Sequence, residues 1–421
     1  LLQQFLTDML FSIMPFTKKI IFFTIALLSF IVIGGGLFAF GPSAFLAFFQ
    51  GSEASLQEYA DTIFEKCSLK NHSPGCYDRE IPKLMDTLSM EEAFLVTRLV
   101  QKKDSGYLEC HVLGHYLAER EVAKDPSRWK DVVASCPVSM CNNGCPHGAL
   151  MARFGNQTEF LSDEQIEEIK PDLEDVCEPR GTWNPSEVER SMCYHAIGHL
   201  NMYATNANIN KSVEICEDIG VKQDGRSYVQ TCTEGVLMSI YQPLGSEDFA
   251  LVKDITPTKE EVDAFCKKYT GMAFVACHKE SWPLFQAEIV HPEGLVKFCS
   301  YAKDPFSETN CYASLMNILT LLFVINEDGL DRLEQFCVGL PEEKVGLCFA
   351  HAARRLMQID PVYYPDKAAK VCDVAKIAGV GPECYNMLAD YASLSFHPGS
   401  KEFIQYCKSF PSPWDIKCLH E

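Results

Sequence analysis

The chain has 421 residues, 47% apolar and 22% charged, which supports a continuous core and excludes a disordered or fibrous chain. Acids outnumber bases 57 to 37, a formal net charge of -20, so the surface should repel nucleic acid and anionic lipid and attract cations. A nucleic-acid partner is therefore not expected, and the length fits either one long array or two to three domains.

Residues 1–19 are expected on the cytoplasmic side, with Leu1–Ile13 lying ahead of the first plausible start, Met14. The stretch Ile20–Phe40 is uncharged, rich in Ile, Leu, Phe and Val, and follows Lys18 and Lys19. A helix of that length rises roughly 30 Å, enough to cross a bilayer. The two lysines favour an inside amino terminus, which places the rest outside the cytoplasm, in a periplasm or at a cell surface. A cleaved signal peptide is the rival reading, but its apolar region is normally shorter, about 7–15 residues, which favours a retained anchor. Residues 41–54 read as a linker whose apolar patch Phe45–Phe49 suits a membrane interface.

Twenty cysteines is a high, even count that suits complete pairing in an oxidising compartment. From Cys177 onward they alternate as Cys177/Cys193, Cys216/Cys232, Cys266/Cys277, Cys299/Cys311, Cys337/Cys348, Cys372/Cys384 and Cys407/Cys418. The second member recurs after 39, 45, 34, 37, 36 and 34 residues, the length of a helix-turn-helix repeat. The first cysteine closes a helical stretch, as in Leu-Glu-Gln-Phe-Cys337, and turn formers such as Gly339 and Pro341 follow it. The second opens a new apolar-periodic run, as in Cys348-Phe-Ala-His-Ala-Ala-Arg-Arg-Leu-Met. Each bridge should pin the end of one helix to the start of the next. The same rule pairs Cys67 with Cys76 and Cys136 with Cys145, and leaves Cys110 for Cys141.

Strand signals are weak, with no sustained alternation and no Asn-Gly hairpin between apolar runs. The fold class is all-α: a right-handed solenoid of roughly nine or ten helix hairpins, with repeats of about 34–45 residues. Over about residues 55 to 421 this organisation resembles, in architecture, the tetratricopeptide and Sel1-like repeat proteins in their cysteine-bridged secreted forms. The expected division is a His/Cys-rich set of repeats over 55–245 and a cysteine-stapled scaffold over 246–421.

Within the first set one chemical theme is written twice. His111-Val-Leu-Gly-His115 and His147-Gly-Ala-Leu-Met151 are followed by His195-Ala-Ile-Gly-His199 and Glu234-Gly-Val-Leu-Met238. The two His-x-x-Gly-His elements are 84 residues apart and the two Gly-x-Leu-Met elements 87 apart, as an internal duplication would leave them. Positions i and i+4 share a helix face, so each histidine pair can present two imidazoles to one transition metal. Gly114 and Gly198, just before the second histidines, allow another backbone to come close. His147, His195 and Glu234 each stand two places after a helix-opening cysteine, a register that would line one face of successive helices.

The candidate ligands are therefore His111, His115, His147, His195 and His199, with Glu234 as carboxylate ligand or base. Imidazole with carboxylate suits zinc, iron or copper. Six candidates exceed one tetrahedral zinc, so either two metals bind or some histidines act from behind the ligands. Cys141-Asn-Asn-Gly-Cys145-Pro-His147 has one residue too many in each gap for haem attachment. His278 and His351, lacking partners in sequence, are expected on helix surfaces, and the adjacent Arg354 and Arg355 on a solvated face.

Three functions follow. The first is a membrane-anchored, extracytoplasmic repeat protein that binds a transition metal in its amino-proximal half. The second is a metal-free scaffold presenting the array surface to a protein partner. The third is a metal-dependent enzyme with Glu234 as base.

Overall fold

The structure is a computed structural model that describes residues 42–68, 74–104, 106–107, 110–137, 140–155, 160–243, 246–324, 329–359, 365–397 and 399–420. The expected anchor at Ile20–Phe40 and the segment before it lie outside these residues. Among the described residues no helix is long and apolar enough to cross a membrane. The chain divides into two compact units, residues 1–62 and 63–421, and all the candidate site residues belong to the second.

Helix α1 (Pro42–Ser68) takes in most of the stretch expected as a linker. It is followed by α2 (Pro74–Glu80), α3 (Met90–Lys103), α4 (His111–Lys124), α5 (Trp129–Ser135), α6 (Gly144–Leu150), α7 (Asp163–Val176) and α8 (Glu187–Ala204). Next come α9 (Ile209–Gly220), α10 (Val229–Tyr241), α11 (Ser246–Val252), α12 (Val262–Cys266), α13 (Gly271–Glu280), α14 (Gln286–Ile289) and α15 (Pro292–Cys299). The last are α16 (Pro305–Val324), α17 (Gly329–Val338), α18 (Glu342–Ile359), α19 (Pro365–Ile377), α20 (Gly381–Ser395), α21 (Lys401–Lys408) and α22 (Trp414–His420). Among the described residues there is no strand, only the isolated bridges Arg180–Trp183 and Val221–Ser227.

Local chemistry explains where several helices begin. Ser89 with Glu92, Ser162 with Gln165 and Ser186 with Glu189 form reciprocal capping boxes at the starts of α3, α7 and α8. Each satisfies two otherwise orphaned backbone groups and is worth about 1 kcal/mol. Helix α9 buries Ile209, Ser212, Ile215, Cys216 and Ile219, the one-sided stripe that drives a helix onto its neighbour.

Ten disulfides pair the cysteines as their spacing indicates, and no cysteine is free among the described residues. The amino-proximal bridges are Cys67–Cys76, Cys110–Cys141, Cys136–Cys145, Cys177–Cys193 and Cys216–Cys232. Those that follow are Cys266–Cys277, Cys299–Cys311, Cys337–Cys348, Cys372–Cys384 and Cys407–Cys418. Their Cα–Cα separations run from 4.5 to 5.8 Å, within the span a disulfide closes without backbone movement.

The expectation that the second cysteine opens its helix needs correction. Cys193, Cys277, Cys311 and Cys348 lie about two turns inside α8, α13, α16 and α18. Cys384 and Cys418 lie about one turn inside α20 and α22, which begin at Gly381 and Trp414. The reason is upstream chemistry: a serine cap starts α8 early, and prolines at or next to the first position do the same for α16 and α20. Each of these bridges therefore grips the body of its second helix, where the sulfurs are buried.

Helices carrying the second cysteine of a pair pack on one another, α6 on α8, α8 on α10, α10 on α13, then α16 on α18, α18 on α20 and α20 on α22, and α4, which follows Cys110, packs on α6. Two contacts reach far beyond chain neighbours. Helix α20 packs against α8, and α18 touches the turn Met140–Asn143 before α6. Val188 of α8 lies against the apolar core of the carboxy-proximal helices, and His397 Nε2 is 3.3 Å from Glu189 Oε2. An open array, in which each repeat meets only its neighbours, would lack these contacts.

His278 and His351 are buried, at 8% and 5% exposure, and not on helix surfaces as expected. Both ride on these inward-packed helices: His278 stacks on Tyr301 at 4.8 Å, and His351 lies among the apolar residues of α18. Arg354 is likewise partly buried, its guanidinium 5.0 Å from the Tyr391 ring.

Candidate metal centre

Five histidines from three helices meet at one place. His111 and His115 come from α4, His147 from α6, and His195 and His199 from α8. Their rings contact one another, with His147 central: its centroid is 4.8 Å from His111, 5.3 Å from His115, 5.7 Å from His195 and 4.8 Å from His199. The nitrogens form two triads, His111/His115/His147 and His147/His195/His199, in each of which the ligand atoms all lie within 4.8 Å of one another. His147 belongs to both and is only 4% exposed, whereas the other four are partly exposed. The site is thus rooted in the core and open to solvent on one side.

Glycine makes the convergence sterically possible. A Cβ on Gly144, Gly148, Gly198 or Gly235 would strike the carbonyl oxygen of His111, His115, Cys232 or His195 respectively. One on Gly114 would stand 3.0 Å from the Cys145 nitrogen. The α4/α6 and α8/α10 crossings are therefore backbone against backbone, which no other residue permits. Before α6, Cys141, Asn142 and Asn143 all take positive φ, 50°, 51° and 59°. This is strained for residues with a Cβ, costing roughly 1–2 kcal/mol each, less for asparagine. The Cys110–Cys141 bridge holds the turn, and its Asn142 carbonyl accepts from His111 Nδ1 at 3.1 Å. Helix α6 then runs into a π turn, Met151–Gly155, a distortion that recurs at functional sites.

Hydrogen bonds fix which ring nitrogen is bare. His111 spends Nδ1–H on Asn142, so its Nε2 carries a lone pair, 3.0 Å from His115 Nε2. His199 Nδ1 is 2.8 Å from Ser239 Oγ, which itself donates to the Gly235 carbonyl at 3.0 Å. Ser239 therefore accepts from His199, whose Nε2 is left bare. The bare His199 Nε2 faces His195 Nε2 at 3.2 Å, a pair closed either by a proton on His195 or by a cation between the two nitrogens. Ligands about 2.0–2.1 Å from one metal and roughly 90–110° apart stand about 2.9–3.4 Å from each other, the spacing seen in both pairs. Backbone or hydroxyl partners on the far nitrogen are how metal-binding histidines are usually oriented.

A proton is a poor substitute for the metal. Burial first, then the neighbouring His111, lowers His115 to about 3. Burial holds His195 at about 4 although Glu234 pulls the other way. His147 and His199 are driven well below the usual imidazole value by burial and then by surrounding imidazoles, and His111 is lowered by burial.

Glu234 stands apart from both triads. Its Oε1 is 2.6 Å from Lys279 Nζ and 2.9 Å from Gln230 Nε2, with Asn310 Nδ2 at 3.4 Å. Burial works to raise its carboxyl, but Lys279 outweighs burial and holds it below the ordinary value. Lys279 also meets Glu280 at 3.2 Å, and burial pushes Glu280 up to about 7 despite that contact. Sequence reasoning did not find Lys279, yet the signal was present: it stands two places after Cys277, in the register of His147, His195 and Glu234. Met238 ends the second Gly-x-Leu-Met element, where the sequence assigns it no role. Its sulfur is 3.3 Å from His195 Nε2.

The chain matches no protein-family model, no curated protein and no solved structure, so the site stands on its own geometry.

Proposed function

We propose that this is an extracytoplasmic repeat protein, tethered by Ile20–Phe40, that holds transition metal between α4, α6 and α8. The array is read as a right-handed helical solenoid whose last hairpins turn back onto the metal-bearing ones and act as scaffold. The observation that carries the reading is the pair of imidazole triads sharing His147, each with its ligand nitrogens within 4.8 Å. Ten disulfides support an oxidising compartment, where such an array persists. Both triads are built of imidazoles alone, since the cysteines of the described residues are consumed in bridges and Glu234 is held by Lys279.

Glu234 serves from behind. Its field favours positive charge on His195, and the Lys279 ammonium bound to it opposes that field. A role as general base is disfavoured, because Lys279 already stabilises its ionised form. Elemental analysis of the purified full chain tests the proposal: bound zinc, copper or iron is expected, and a metal-free protein that also fails to take up any of the three would leave the scaffold reading.

A further inference from the structure

Resting on the metal reading above, we infer that the His147/His195/His199 triad is a copper site that binds Cu(I), with the thioether of Met238 as fourth ligand. Two independent observations support this.

The first is the donor set. Met238 lies on α10 and crosses to α8, where its sulfur sits 3.3 Å from His195 Nε2. A sulfur at about 2.3 Å and a nitrogen at about 2.0–2.1 Å on one metal, roughly 90–110° apart, are about 3.1–3.6 Å from each other. The thioether is thus placed as a ligand would be, and its side chain is partly exposed, so a metal can reach it. Thioether sulfur is a soft donor that favours Cu(I), and it offers little to zinc or ferrous iron.

The second is charge. Three neutral imidazoles and a thioether bring no negative charge, and the nearest carboxylate, Glu234, is neutralised by Lys279 at 2.6 Å. The solvation cost of a buried ion grows with the square of its charge, so a monovalent cation pays about a quarter of what a divalent one does in the same surroundings. A neutral donor set rooted in the core at His147 therefore discriminates against zinc and toward Cu(I).

Competition titrations test the inference on the full chain, purified with its bridges intact and stripped of metal. Cu(I), kept reduced by ascorbate under argon, is titrated against a Cu(I)-specific chromophoric chelator, and Zn(II) against a zinc dye. Met238→Leu nearly conserves volume and so leaves packing intact. The expected result is Cu(I) binding far tighter than Zn(II), a copper–sulfur distance in X-ray absorption, and a Cu(I) affinity lowered roughly tenfold or more in Met238→Leu. Loss of the sulfur signal in that variant, with circular dichroism unchanged, completes the case. Zinc binding as tightly as Cu(I), or copper bound equally by Met238→Leu with no sulfur neighbour, overturns the copper inference and leaves the histidine site standing. If neither metal binds, the site itself falls.

Discussion

The two halves of the array share their staples and differ in what the staples present. Two places after the second cysteine, the amino-proximal hairpins from Cys145 onward carry His147, His195 and Glu234, and the first carboxy-proximal hairpin carries Lys279. Beyond them the same register carries Ala313 and Ala350, then Asn386 after Cys384 and an exposed His420 after Cys418. Both halves bridge consecutive helices with Cα–Cα separations near 5.5 Å, so the scaffold does not depend on the chemistry it displays. The amino-proximal half also has glycines where helices cross, at Gly148, Gly198 and Gly235, while α16, α18 and α20 contribute buried Leu, Ala and Tyr to an apolar core. One set of bridges thus supports a polar, tightly crossed region for a ligand and an ordinary apolar core for stability.

Reduction should erase the distinction altogether. Each short loop closed by a bridge contributes on the order of 2–4 kcal/mol by restricting the unfolded chain, so ten together exceed any domain's net stability. Loss of helical circular dichroism in denaturant-free reductant is expected across the whole chain. A carboxy-proximal half that stayed folded would show that its apolar core is self-sufficient.

Substitution at the shared ligand separates the halves. His147→Ala removes a donor from both triads and should abolish tight metal binding, while His351→Ala, a buried histidine of the other half, should leave metal content unchanged. Calorimetric titration of both variants decides this, and equal behaviour would erase the contrast.

Gly198→Ala is the next largest effect, because its methyl would meet the Cys232 carbonyl across the α8/α10 crossing. A loss of order 3 kcal/mol is expected from overpacking, with weaker metal binding as the histidines are pushed apart. Thermal unfolding within a few degrees of wild type would mean the crossing is looser than described.

Acid should act selectively and more weakly. In the metal-free chain the clustered imidazoles have folded values below the unfolded one near 6.5, with His115 at about 3 and His195 at about 4. The unfolded state then binds more protons, so their contribution is fully present above about pH 6.5 and is lost as pH falls from there toward 3. Glu280, raised to about 7, opposes this, since its contribution is lost as pH rises from the ordinary carboxylate range through 7. Five histidines outweigh one glutamate, so denaturation midpoints should fall from pH 7 to pH 5, and bound metal should diminish the slope. A midpoint that rises over that interval would contradict the assignment of protons.

Much of this was legible in sequence because it is local. Cysteine spacing reports which helices are joined, and the Cys110–Cys141 bridge followed by elimination. It reports helix starts less well, since the caps and prolines that place Cys193, Cys384 and their equivalents inside a helix act upstream of the cysteine itself. The paired histidines share a helix face by their i, i+4 spacing alone. What escaped is long-range. Nothing local announces that α20 returns to α8, that Lys279 claims Glu234 from 45 positions away, or that Met238 reaches His195 across a helix crossing. The burial of His278 and His351 escaped for the same reason, since it depends on which helices pack inward. The anchor at Ile20–Phe40 remains a sequence expectation outside the described residues.

The most direct test of the central claim is the metal retained after desalting by wild type and by a His147→Ala variant of the full chain. A neutral imidazole binds one ion at a time, so triads that share His147 predict one tightly held ion in the wild type and none in the variant. No retained metal in the wild type, or equal retention by both proteins, would contradict it.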